Sequence, residues 1–82
     1  MTNTTTPPRG WHIRVTRYMN ATDYDLYLGE ECCGAFHTAE ELMSFANVLK
    51  GDLDAGAAMT TETRESYEEI IAAIREAIEE AA

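Results

Sequence analysis

Apolar residues recur at every second position over Trp11–Val15 and again over Tyr24–Leu28, and at every third or fourth position after Thr38. That change of period constrains the fold more than any other feature of the chain. Trp11, Ile13 and Val15 fall on one face of a strand, and His12, Arg14, Thr16 and Tyr18 on the other. Residues 19–23 read as a turn, rich in side chains that bond their own backbone. Tyr24, Leu26 and Leu28 then alternate with Asp25 and Tyr27, and the short connection makes the pair an antiparallel hairpin. After the turn Gly29-Glu30-Glu31 comes a short third strand. The strands are expected at about residues 11–19, 23–29 and 32–37.

The switch to helix is marked by Thr38-Ala39-Glu40-Glu41. Thr38 is suited to cap the first turn and Glu41 to return the bond, and both glutamates favour the positive end of the helix dipole. Leu42, Phe45, Ala46 and Leu49 share one stripe, and Gly51 is placed to end this helix, expected at residues 39–50. Residues 51–60 read as a connector, and a second helix follows at about residues 62–81. The expected class is α+β: a three-stranded antiparallel sheet followed by two helices, β-β-β-α-α. Eighty-two residues suffice for one domain with a thin core. It is expected over residues 11–82, behind a flexible tail at residues 1–10.

At ~100° per residue, Tyr67, Ile70, Ile71, Ile74, Ile78 and Ala81 fall within a narrow stripe of the second helix. Glu65, Glu68, Glu69, Glu76, Glu79 and Glu80 make one acidic face opposite it. Glu65–Glu69 and Glu76–Glu80 are like-charge pairs one turn apart, which cost roughly a few tenths of a kcal/mol each. Arg64 and Arg75 offset part of that, and no lysine is interleaved. The net charge of −9 is unevenly spread: residues 1–20 carry +3, residues 21–50 carry −5 and residues 51–82 carry −7. Such a surface repels nucleic acid and favours partners with basic surfaces. Asp52 and Asp54 are expected to extend the acidic row. A second candidate face is the open side of the hairpin, where His12, Arg14, Tyr18 and Tyr27 join aromatic and basic character, unless the second helix covers it.

Cys32, Cys33 and His37 invite a metal or redox reading. Neighbouring strand residues point to opposite faces, so the two thiols cannot readily chelate one ion, and a structural zinc site needs four ligands. A disulfide between neighbours is strained, and no C-x-x-C motif exists. One thiol is expected in the core and the other on the open face, with His37 packing on Leu42 before the helix. No nucleophile elbow, phosphate-cradling glycine loop or H-E-x-x-H is present in the sequence. The chain is expected to be non-enzymatic, with no catalytic residue, no metal and no cofactor. Two cysteines without a secretory signal point to a reducing compartment, and a cytoplasmic location is expected.

The order of three strands and a helix opening with "GAFHTAEE", over about residues 11–50, resembles the small N-terminal domains of phage integrases that bind arm-type DNA. Their sheet is basic as a rule, whereas here Arg14 and Arg17 stand among acids, so a DNA-binding role is not carried over. In profile, a very small and strongly acidic α+β chain is similar to phage-encoded inhibitors of host defence, of anti-CRISPR and anti-restriction type. That resemblance implies a host-cell cytoplasmic location and a DNA-like charge display toward a basic nucleic-acid-binding surface. No shared motif assigns a residue. The alternative is a small homodimeric structural or accessory protein, joined through the Ile70/Ile71/Ile74/Ile78 stripe, whose acids only provide solubility.

Overall fold

A computed structural model describes residues 10–56 and 58–81. Except for Gly10, the expected tail lies outside the described residues. The element order is β1 (Trp11–Arg17), β2 (Thr22–Leu28), β3 (Glu31–Phe36), α1 (Ala39–Asp54) and α2 (Thr61–Ala81). This is the expected three-stranded antiparallel sheet followed by two helices, with strand order β1-β2-β3. Trp11 pairs with Leu28 and Arg17 with Thr22, so the hairpin closes tightly at Met19 and Asn20, where the Tyr18 N–H donates to the Ala21 carbonyl at 2.7 Å. The β2–β3 turn places Gly29 at φ 61. This left-handed conformation suits glycine at the first central position of a two-residue hairpin loop.

Both helices pack on one face of the sheet. Trp11, Ile13, Val15, Tyr24, Leu26 and Phe36 turn toward Leu42, Ala46, Leu49, Ile70, Ile71, Ile74 and Ala77. Leu42 and Ile74 are completely buried. α2 lies against β1 and α1, and α1 touches β3, where the Phe36 and Phe45 rings stack at 5.4 Å. The other face of the sheet carries no helix, so the second helix does not cover it.

Thr38 caps α1 as expected, its Oγ1 accepting the Glu41 N–H at 3.1 Å. The return bond is shifted by one residue: Glu41 accepts from the His37 N–H, at 2.8 Å, rather than from Thr38. The expected stop at Gly51 is overturned. α1 continues one turn to Asp54, and Gly56, at φ 70, provides the left-handed position after the end. Glycine inside a helix costs only about 1 kcal/mol, and the added turn brings Leu53 onto the core. α2 begins one residue earlier than expected, capped by Thr60, whose Oγ1 accepts the Thr63 N–H at 3.1 Å.

β3 departs from strict alternation. Cys32 pairs with Tyr27 and Gly34 with Leu26, so Cys33 is an extra residue at a β-bulge. Both cysteines are free thiols and both are exposed, which corrects the expectation of one in the core. Gly34 takes the position opposite Leu26 instead. A glycine within a strand pattern is the sequence signal for such a bulge.

Candidate functional site

The apolar stripe of α2 is spent inside the chain. Ile70, Ile71 and Ile74 are buried and Ile78 packs against the same core, so a dimer seam through these four residues is not available. This follows from the pairing of α2 with both β1 and α1, which covers more apolar surface than the sheet alone offers.

All eight carboxylates expected to form the acidic row, Glu65, Glu68, Glu69, Glu76, Glu79, Glu80, Asp52 and Asp54, are exposed. They do not form one uninterrupted row. On the side of α2 toward β1, Glu69, Glu76 and Glu80 border a hollow of about 250 Å³ with Trp11, His12 and Ile13 opposite. On the side toward α1, Glu68 and Asp54 share a hollow of about 430 Å³ with the cations Lys50, Arg64 and Arg75. Asp52 lies on α1, outside both hollows.

Glu69 also has a structural task. Its Oε1 accepts the backbone N–H of Trp11, the first residue of β1. Gly10 makes room for this, since a Cβ there would collide with the same oxygen. At the far end of β1, Arg17 reaches across to the Glu80 carbonyl at 3.1 Å. Neither link was legible beforehand. The one hint was a glycine directly before a strand, a residue that permits close approach.

The open sheet face brings together three of the four residues expected there. His12 stacks on Tyr27, with centroids 5.6 Å apart, and the Arg14 guanidinium sits 5.9 Å from the same ring. Gly29 and Glu30 complete a shallow hollow of about 450 Å³. Tyr18, though exposed, lies beyond the opposite end of β1. Asp25 stands opposite Arg14 in the strand register, so the face has mixed sign.

His37 turns outward to Asp23, with Nδ1 3.2 Å from Oδ1, in place of the expected packing on Leu42. Among the described residues, no three His, Cys, Asp or Glu side chains converge in a way that could hold a metal ion. No described helix is long and apolar enough to cross a membrane. In comparisons with protein-family models, curated proteins and solved structures, nothing matches the chain.

Proposed function

We propose that this protein is a binding module without chemistry of its own, which lays the outer surface of α2 on a basic surface of a protein partner. The observation that carries this reading is the charge of α2. Seven carboxylates against two arginines line one 21-residue helix, about 31 Å long at the usual helical rise, and its apolar side is consumed by the core. A helix seated on the core by its apolar side turns its charged side outward, and such charge steers association and sets partner choice more than it adds affinity. A basic channel or patch that handles nucleic acid has the complementary charge. The likeness in profile to small acidic inhibitors of host defence supports a blocking role, with glutamates standing where phosphates would bind.

The test uses Glu65 and Glu79, which are exposed and border neither hollow. Tagged protein is used to capture its partner from lysate, with and without excess duplex DNA. The expected result is a nucleic-acid-handling complex that DNA displaces. The Glu65→Lys/Glu79→Lys variant, with an unchanged circular dichroism spectrum, should retain it at least about tenfold more weakly. Equal capture by the reversed variant would sink the proposal.

A further inference from the structure

The hydrogen-bonding parity of the hairpin decides which backbone groups of β1 face outward. The Gly29 N–H donates to the Gly10 carbonyl and the Tyr18 N–H to the Ala21 carbonyl, so even-numbered residues of β1 bond to β2. Trp11, Ile13, Val15 and Arg17 therefore direct their N–H and C=O groups to the open edge. The Trp11 N–H confirms this parity by bonding to Glu69. Among the described residues, nothing bonds to the N–H groups of Ile13 and Val15 at that edge. An edge of this kind is a template for another strand.

The edge is bordered along its length by α2. Glu69 meets it at Trp11 and Glu80 meets it at Arg17, so helix and strand run side by side in the same direction. Between these two contacts Ala72, Ala73 and Ala77 are too small to fill the space, which leaves the hollow of about 250 Å³ rimmed by Glu76 and Glu80. Glu76 and Glu80 are one turn apart, ~6 Å along the axis. Alternate side chains of a strand are ~6.6 Å apart. The two spacings match.

We propose that the groove between β1 and α2 takes an extended segment of the partner that adds to the sheet beside β1, with lysine or arginine at alternate positions facing Glu76 and Glu80. This deepens the preceding reading and rests on its basic partner. The incoming backbone pairs with Ile13 and Val15, and the acidic rim selects its charge. A second copy of this chain is disfavoured in the groove, because pairing β1 with β1 brings two acidic rims together.

The probe is a synthetic peptide of alternating lysine and threonine, added to ¹⁵N-labelled protein. Pairing predicts shifts and slowed hydrogen exchange at the Ile13 and Val15 amides. It also predicts at least about tenfold weaker binding for the same peptide N-methylated at every residue, which keeps its charge but has no backbone donor on either edge. The Glu76→Lys/Glu80→Lys variant should lose binding similarly. Equal binding of the methylated peptide, or shifts confined to Glu65 and Glu79, would overturn the groove and leave the acidic-face reading standing. Protection of the Ile13 and Val15 amides without peptide, together with dimerisation, would assign the edge to a second copy and also overturn it. Loss of capture in the Glu65/Glu79 variant with no effect in the Glu76/Glu80 variant separates the two readings from the other direction.

Discussion

At Glu69 the carboxylate accepts the Trp11 N–H, and the bare Cα of Gly10 leaves the space it occupies. Six glutamates share the outer half of α2, but this one secures the start of β1. Replacing Glu69 with alanine should lower stability by about 1 kcal/mol, the order of one hydrogen bond, whereas Glu65→Ala should stay within about 0.5 kcal/mol. Urea unfolding of both variants measures the contrast. Gly10→Ala displaces the same carboxylate, so its cost should shrink in the Glu69→Ala background; strictly additive effects in that cycle would contradict the contact. The bulge at Cys33 has its own consequence. Because both thiols are exposed, a thiol reagent such as Ellman's should titrate Cys32 and Cys33 together in the native protein. A thiol that reacts only on unfolding would restore the alternation that the bulge removes.

At the scale of elements, the ends of the helices are decided by competition between local preference and burial. Gly51 sits in the interior of α1 at an ordinary helical φ, with open space where a Cβ would go. Gly51→Ala should therefore stabilise the protein by roughly 0.5–1 kcal/mol. Gly56, at φ 70, is the opposite case, and Gly56→Ala should destabilise it by about 1 kcal/mol. For a domain of this size each kcal/mol moves the melting temperature by about 4–8 °C, so thermal unfolding resolves the two signs. Had Gly51 ended the helix, its substitution would destabilise instead. Thr38 and Thr60 are both capping threonines, yet only the first has a glutamate three residues on. That glutamate reaches the N–H of His37, one residue outside the usual capping box.

The whole molecule sets a thin core against a strong net charge. Ile74 belongs to the core cluster that residues of the sheet and both helices share, and it has no exposed surface. Ile74→Ala should cost about 2–5 kcal/mol, a large part of the stability of a chain this short, and denaturant unfolding should find it the most damaging truncation on α2. Charge acts against the same core. With a net charge of −9, carboxylates on α2 repel one another and those of α1. Raising salt from ~10 to ~150 mM shortens the Debye length from ~30 to ~8 Å and should raise the melting temperature while weakening any charge-steered complex. A melting temperature that ignores salt would mean Lys50, Arg64 and Arg75 already balance the acids locally.

Period and punctuation were enough to place five elements in order, because alternation at Trp11-Ile13-Val15 and Tyr24-Leu26-Leu28, a turn at residues 19–23 and the cap at Thr38 are local signals. The helical spacing of Ile70, Ile71 and Ile74 likewise identified the buried side of α2, and its complement the acidic one. Tertiary contact decided the rest. It extended α1 past Gly51, because Leu53 had a core to reach. It exposed both cysteines through a bulge that lets Gly34 face Leu26. Periodicity along one helix also cannot say what stands beside it. Only the placement of α2 along the edge of β1 gave Glu69 a backbone partner and left Glu76 and Glu80 over an open strand edge, and only its packing on α1 set Lys50 in one hollow with Glu68, Arg64 and Arg75. A residue's spacing fixes which way it points, while its neighbours across the fold decide what it meets there.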